Sequence, residues 1–293
     1  MSLGEQVLQY LLSGLTMGSI YALVGLGFGI IYNATGIINF AQGEFLMLGG
    51  MLMVTLISAA GLPMWGAFLV ATAAVTFIGL AFERALIRPA RQASVITLIV
   101  ITIGAAIVIR GLAERIWGTD ALPVPPFSGS QPLRYGECAI QPQSLWVMGV
   151  TAAAVTALTL FYSRTLFGKA MRACAINRRA ALLMGISASQ MVAWSFALAA
   201  GLGAVGGIIV APITMTQFDV GVMLGLKGFC GAIIGGLGNS AGAVVGGLSL
   251  GVLEALGAGL ISSGYKDIIA FAILLLVLFV RPSGVLGGGS AKD

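Results

Sequence analysis

The sequence predicts an all-α protein, a polytopic bundle of transmembrane helices with about 8–9 membrane segments, including broken or re-entrant helices. Three observations support this prediction. Of the 293 residues, 58% are hydrophobic and only 9% are charged, whereas a soluble domain has about 25% charged residues. The mean hydropathy is +1.03. Apolar stretches of about 20 residues, the length needed to cross a bilayer as a helix, recur along the chain.

The whole chain, residues 1–293, is predicted to be a single transmembrane domain, because its polar stretches are too short to fold alone. Turn sequences such as GLP (61–63) and charged sequences such as ERALIRPAR (83–91) separate the apolar segments. The predicted segments are 7–32, 45–60, 64–86, 94–112, 144–162, 190–210, a Gly-rich descent from 223, then 241–260 and 268–280.

The distribution of charge predicts the orientation of these segments, because cytoplasmic loops of membrane proteins collect Lys and Arg. Residues 83–91 and 164–187 are strongly basic, and Arg281 follows the last segment, so these three places are assigned to the cytoplasm. The stretch 114–143 balances its charges and is rich in Pro and Gly, which is typical of an external loop.

This orientation makes residues 211–222 external and 232–243 a cytoplasmic turn. The number of crossings depends on residues 33–45. If they form a true loop, the chain crosses about nine times and its N-terminus is external; if they are re-entrant, it crosses about eight times and the N-terminus is internal. The sequence leaves both alternatives open.

Polar residues within the second apolar region are candidates for a translocation pathway. Asn39, Gln42 and Glu44 lie between apolar flanks, and a carboxylate in hydrocarbon normally faces a bundle interior or a cavity. Gly36 and Gly43 favour a broken helix, which is tolerated where the backbone lines a cavity or packs in protein. The alternative is an interfacial loop whose polar groups meet water or lipid headgroups.

Other charges within apolar segments have less specific interpretations. Glu254 requires a basic partner from another span or another subunit, and is predicted to be a pathway or interface residue. Arg110 is predicted to be an interfacial anchor that snorkels, on the same helix face as Glu114. Asp219 and Lys227 either bracket an external vestibule or are ordinary interfacial charges.

The stretch GGLGN (235–239) has too many glycines for a stable helix, since each costs about 1 kcal/mol relative to Ala in a helix interior. Asn239 is a favourable N-cap for a helix beginning at Ser240. The sequence therefore predicts a sharp turn here, at the cytoplasmic face.

No catalytic residue, metal site or nucleic-acid surface is predicted. The chain has no His, its three cysteines are far apart, and its basic residues are not interleaved with aromatic side chains. It also has no phosphate-binding loop of the G-x-x-x-x-G-K-[ST] type. If the protein moves a solute uphill, the energy comes from an ion gradient or from another polypeptide.

Three motifs in order resemble the permease subunits of ABC importers for branched-chain amino acids and related amino acids or amides. They are GLTMGSIYALVGLGFGIIYNATGIINFAQGEFLMLGG (14–50), GKAMRACAINRRAALLMGIS (168–187) and GLKGFCGAIIGGLGNSAGAVVGGLSLGVLE (225–254). The resemblance extends over essentially the whole chain. Many family members have AHGE where this sequence has AQGE, with Gln42 in place of His.

The resemblance implies a multi-pass subunit of the bacterial inner membrane that works with a second permease, homologous or identical. A periplasmic binding protein would deliver the substrate. Two cytoplasmic ATPase subunits would bind the ATP and Mg²⁺, and this chain would bind no cofactor. Membrane lipid would surround it. By analogy, the turn within 232–243 is the ATPase-coupling segment, with Gly235, Gly236, Gly238, Asn239 and Gly242 at the contact.

Within the same resemblance, the basic segment 164–179 is a second candidate ATPase contact, and lipid headgroups are its alternative partner. Two other functional classes stay open from the residues alone. An ion-coupled secondary transporter would need no ATPase. A passive channel for small polar solutes would need only a narrow lined pore.

Overall fold

A computed structural model describes residues 3–129, 131–135 and 138–287. The prediction of an all-α membrane bundle is confirmed. Besides a two-stranded hairpin, β1 (Leu133–Tyr135) and β2 (Cys138–Ile140), the described elements are helical. They are α1 (Leu3–Thr35), α2 (Gln42–Ser58), α3 (Met64–Phe82), α4 (Val95–Trp117), α5 (Pro142–Arg164), α6 (Leu166–Ile176), α7 (Arg178–Leu183), α8 (Ala188–Thr214), α9 (Val220–Gly235), α10 (Ser240–Leu260) and α11 (Lys266–Val280), with a π-helical turn at Glu83–Ile87 and a 3-10 turn at Ser263–Tyr265.

Helix α1 occupies the centre of the bundle. In its apolar stretch 89% of the residues are buried, and Ile20, Tyr21 and Leu23 have no exposed surface. In the apolar stretches of α4, α5 and Ser263–Val280, which contains α11, only 17%, 17% and 6% of the residues are buried. Their outward faces are apolar, as expected for helices that contact lipid or another membrane subunit.

The contact between α1 and α10 depends on small residues. A Cβ atom added at Gly18 would lie 2.8 Å from the Cα of Leu248, and one added at Gly14 would lie 2.7 Å from the Cα of Val252. Membrane helices approach this closely only where their interface is lined by small side chains. Gly14 and Gly18, which are four residues apart, therefore form the central helix crossing.

Contacts between connecting segments identify two ends of the bundle. The Gln9 side chain donates a hydrogen bond to the Ala139 carbonyl at 3.0 Å. At the opposite end, the Asn33 side chain donates to the Gly238 carbonyl at 2.7 Å. We call the two ends the loop end, with residues 59–63, 118–129, 131–135, 138–141, 215–219 and 261–265, and the basic end, with residues 33–38, 83–94, 164–187, 235–240 and 281–287.

The described helices correspond to nine crossings. Seven are long and apolar enough to span a membrane, and α2 and α9 are shorter apolar helices. Helix α2 runs towards the loop end, where Trp117 donates a hydrogen bond to the Thr55 hydroxyl at 2.7 Å. Because α1 begins at the loop end, the arrangement matches the alternative in which the N-terminus and the 114–143 loop lie on the same side.

The basic segment 164–187 contains two helices that its sequence did not reveal. The Thr165 hydroxyl caps α6 by accepting from the Gly168 amide at 3.0 Å. The Asn177 side chain caps α7 by accepting from the Ala180 amide at 3.0 Å. These N-caps divide the segment into two short helices, because each provides a partner for an amide with no intrahelical acceptor.

The close crossing of α1 and α10 predicts that Gly18→Ala lowers the melting temperature of the purified protein in detergent. Overfilling a tight helix contact costs about 1–3 kcal/mol. The matched control is Gly104→Ala on α4, because no atom lies within 4 Å of a Cβ added at Gly104. Equal melting temperatures for the two variants, measured by tryptophan fluorescence, would contradict the crossing.

Candidate functional site

Helix α2 begins inside the bundle instead of at its basic end. After α1 ends at Thr35, residues 36–41 are non-helical and turn back into the protein, starting from Gly36 with a φ of 73°. The Phe40 amide donates to the Thr102 hydroxyl at 3.2 Å. Thr102 lies seven residues beyond the first residue of α4, a depth of roughly 10 Å at 1.5 Å per residue.

Helix α9 also begins in the interior, and its first turn meets the first turn of α2. The two helices are in contact through glycines: a Cβ added at Gly225 would lie 3.0 Å from the Cα of Gly43, and one added at Gly43 would overlap the carbonyl of Gly221. Each helix N-terminus carries a partial positive charge. Two such termini therefore converge in the interior of the bundle, between the loop end and the basic end.

Asn39 and Gln42, both predicted as pathway residues, stabilise the interruption before α2. Both side chains are buried. The Asn39 carbonyl oxygen accepts from the Ala41 amide at 3.2 Å. The Gln42 side chain donates to the Ala199 carbonyl of α8 at 2.8 Å. These bonds fix the non-helical segment in place, and a pathway role for the two residues stays a prediction.

Glu44 is buried and paired with a cation from another helix. Its side chain is 2% exposed, and its Oε1 accepts from Nη2 of Arg110 at 2.7 Å. Arg110 was expected to be a snorkelling anchor on the same helix face as Glu114. The pairing with Glu114 is wrong, because Arg110 is bonded to Glu44, 66 residues away in the sequence. A buried carboxylate requires a counter-charge, and sequence spacing cannot show which cation folding brings to it.

The pair lines a groove between α4 and α9. Its cavity volume is about 230 Å³, and its remaining walls are mainly apolar, with Phe28, Phe40 and Phe229 among them. The backbone of Gly221, in the first turn of α9, also lines it. We call this cavity the Glu44 groove.

A second group of buried charges surrounds Glu254. Its Oε1 lies 2.9 Å from the Lys227 Nζ and 3.3 Å from the Lys266 Nζ, and the Lys227 Nζ lies 2.6 Å from Asp267. The expected basic partner of Glu254 is therefore a residue of another span. Lys227 does not bracket a vestibule with Asp219: it is buried within α9, where the group joins α9 to α10 and the start of α11.

The turn between α9 and α10 has the predicted local structure. Gly236 and Gly238 have φ values of 107° and 91°, a conformation that glycine adopts without steric cost. The Asn239 side chain accepts from the Gly242 amide at 3.1 Å. The prediction that Asn239 caps a helix beginning at Ser240 is confirmed.

Most of the predicted coupling residues are covered. Gly235, Gly236 and Gly242 are buried, whereas Gly238 and Asn239 are partly exposed. The Leu286 amide donates to the Gly235 carbonyl at 3.0 Å, and Asn239 donates to the Leu286 carbonyl at 2.8 Å. The chain after α11 therefore lies over this turn, and the coupling role of the five residues stays a prediction.

Several strongly exposed apolar side chains at the basic end belong to α6, α7 and the turn after them. Leu166, Ile176, Leu183 and Met184 are between 81% and 89% exposed. Lys169, Arg172, Arg178 and Arg179 are exposed in the same segment. Apolar side chains exposed among basic ones are candidates for contact with a partner protein or with the lipid interface. We call these side chains and their basic neighbours the α6–α7 surface.

Discontinuous helices that meet inside a membrane bundle, next to paired charges, are typical of membrane transport proteins. The fold and the interior site thus define a polytopic permease. The profile of the family described as "Branched-chain amino acid transport system / permease component" matches residues 10–278. The chain belongs to this family, which confirms the resemblance seen in its three motifs, and it is a multi-pass protein of the inner membrane.

Individual relatives match over nearly their full length. The chain is 34% identical over 295 residues to the high-affinity branched-chain amino acid transport system permease protein LivH of Escherichia coli, covering 96% of this chain and 95% of the relative. It is 34% identical over 294 residues to the corresponding protein BraD of Pseudomonas aeruginosa, with the same coverage. A probable branched-chain amino acid transport permease of Methanocaldococcus jannaschii is 26% identical over 306 residues, covering 97% and 93%.

The charge group around Glu254 predicts that Lys227→Met destabilises the fold. The substitution removes one of the two cations and leaves two acids, Glu254 and Asp267, beside Lys266. Breaking a buried ion pair costs about 3–5 kcal/mol. The expected result is a lower melting temperature in detergent and less protein in the membrane. Lys169→Met, at an exposed position of α6, is the control; if the two variants melt alike, the buried pair does not stabilise the fold.

Proposed function

We propose that this chain is the permease subunit of an ATP-driven ABC importer. Together with a second permease, it forms the translocation path for branched-chain or related amino acids or amides that a periplasmic binding protein delivers. The observation that carries the proposal is the combination of a broken-helix interior with an exposed α6–α7 surface at one end. Family membership supports the cargo, because its relatives are named as branched-chain amino acid permeases.

The basic end faces the cytoplasm in this proposal. Its connecting segments carry Arg84, Arg88 and Arg91 and the five basic residues of 164–179, and cytoplasmic loops are enriched in such residues. The loop end, with the β1–β2 hairpin, then faces the periplasm and receives the binding protein. Trp65 and Trp146 pack together near this end, with ring centroids 5.5 Å apart, as in the aromatic belts at membrane interfaces.

The ATPase subunits dock on the α6–α7 surface. The apolar side chains Leu183 and Ile176 project from short capped helices, and the surrounding Lys and Arg side chains favour an acidic partner groove. Asn239 and Gly238 lie at the same end and form a secondary contact. Helix α6 packs on α1, α5 and α8, so a movement imposed on it reaches the helices that form the core of the bundle.

ATP and Mg²⁺ are bound by the partner ATPases, and this chain performs no catalysis. Its sequence has no phosphate-binding loop of the usual type. The second permease, identical or homologous, packs on outward faces of the weakly buried helices α4, α5 and α11, and lipid covers the rest. Two permeases side by side enclose a path that one subunit leaves open on one side.

An ion-coupled transporter is the competing function, because buried acids also occur in proton and sodium pathways. The two functions differ in their energy source. We expect proteoliposomes with both permeases, the ATPases and the binding protein to accumulate L-leucine only when ATP is supplied to the ATPase side. Uptake by this chain alone, driven by a proton or sodium gradient, would refute the proposal.

The docking assignment predicts that Leu183→Glu prevents assembly with the ATPase subunits, because a carboxylate would be buried in the interface and repelled by the acidic partner groove. Co-purification of the ATPases with the affinity-tagged permease measures this, and the expected loss is about tenfold or more, since an unpaired buried charge costs several kcal/mol. The matched control is Leu133→Glu, an exposed leucine of the loop end. Normal co-purification of the Leu183 variant would move the docking site elsewhere.

A further inference from the structure

The Glu44 groove contains charged groups whose hydrogen-bonding capacity is not used within the described part of the chain. Glu44 Oε2 and Arg110 Nε are both buried there without a hydrogen-bond partner. Leaving such atoms unpaired is costly in a low-dielectric interior. The groove thus offers an acceptor for a cation and a donor for an anion.

The positions of the two charges suit a ligand that carries both signs. The carboxylate and the guanidinium are in contact at 2.7 Å, and Arg110 is 31% exposed, so its outer donors are accessible to a ligand. The first turn of α9 adds its partial positive charge beside Gly221. A ligand ammonium group would meet Glu44 once that carboxylate, now 2% exposed, turns towards the cavity, and a ligand carboxylate would meet the outer nitrogens of Arg110 and this helix terminus.

The rest of the groove suits an aliphatic side chain. Its walls include Phe28, Phe229, Leu226 and Ile107. The volume of about 230 Å³ equals the liquid volume of roughly eight water molecules at about 30 Å³ each. This is enough room for a small solute such as an amino acid with a branched side chain.

The groove also lies at the depth where a transported solute must pass. Arg110 is seven residues before the last residue of α4, and Thr102 is seven residues after its first, so the groove begins roughly 10 Å from either end of that helix. Helix α4 is 17% buried, and its exposed residue Ile107 forms part of the wall. The cavity therefore opens beside the face assigned to the second permease.

We infer that the Glu44 groove is a binding site within the permease for the zwitterionic form of an aliphatic amino acid, with Glu44 holding the ammonium group and Arg110 the carboxylate. This inference rests on the proposed function and adds to it that the permease itself discriminates among solutes. The site is expected to be weak, with a dissociation constant on the order of 1 mM, because a site on a transport path must release its cargo.

Binding is tested first on the unmodified full-length chain, purified in lipid nanodiscs without the binding protein. The probe is radiolabelled L-leucine. Saturable binding is expected, with displacement by unlabelled L-leucine or L-isoleucine. Isocaproate, which lacks the ammonium group, and isoamylamine, which lacks the carboxylate, are expected to displace it at least about tenfold less well, because each loses a charge-assisted contact. Absence of saturable binding, or equal competition by all four compounds, would overturn the inference.

Variants then locate the site. Glu44→Gln and Arg110→Gln are each expected to weaken L-leucine binding by about tenfold or more, since each removes one charge-assisted contact. Glu114→Gln and Arg115→Gln make the same changes at exposed positions of α4 and are expected to bind as the unmodified chain does. Equal affinity in all four variants would place the bound leucine outside the groove.

A purely structural role of the pair is distinguished by the variant with both Glu44→Gln and Arg110→Gln. If the pair only stabilises the fold, the double variant should fold, because neither charge is left buried without its partner, and it should bind L-leucine again. If the groove binds the zwitterion, the double variant folds and still fails to bind. ATP-driven leucine uptake by the unmodified complete transporter distinguishes failure of the binding site from failure of the importer function. Uptake without binding in the Glu44 groove would reject only the binding site. Binding in the groove without ATP-driven uptake would reject only the importer function.

Discussion

The structure depends on one constraint, which is that hydrocarbon offers no partner to a backbone amide, a carbonyl or a charge. Continuous helices satisfy it locally, and α1 does so at the centre of the bundle. Helices α2 and α9 begin inside the bundle, so the unpaired polar groups near their first turns need partners from other helices. The Thr102 hydroxyl accepts from Phe40, the Gln42 amide reaches α8, and Arg110 neutralises Glu44. Each interruption therefore exists only because the remaining helices surround it.

The same constraint explains why the family's glycine-rich motifs occupy the core. The N-terminal motif supplies Gly18, and the C-terminal motif supplies the backbone at Leu248 against which it packs. Close backbone approach lets a chain with few ionic groups hold its helices together by packing. The buried group around Glu254 then adds a specific attachment of α11, which otherwise has little buried surface.

Sequence reasoning predicted the fold class and the broken helix near Glu44, because hydropathy, glycine placement and buried acids are local signals. It also predicted the cap at Asn239, since capping depends on neighbouring residues. It missed the partner of Glu44 and the burial of Lys227, because those contacts join distant segments. Helices α6 and α7 were not predicted either, because each is short and the signals that define them are the single capping residues Thr165 and Asn177.

In the proposed importer, cytoplasmic ATPases dock at the end of the bundle that contains α6, α7 and Asn239. The proposal therefore requires this end to lie in the cytoplasm. Thiol labelling tests this most directly, in a chain whose three cysteines are replaced by alanine. A membrane-impermeant maleimide applied to intact cells should label Leu133→Cys and should label Ser240→Cys only after lysis. Labelling of Ser240→Cys in intact cells, with Leu133→Cys protected, would contradict the account.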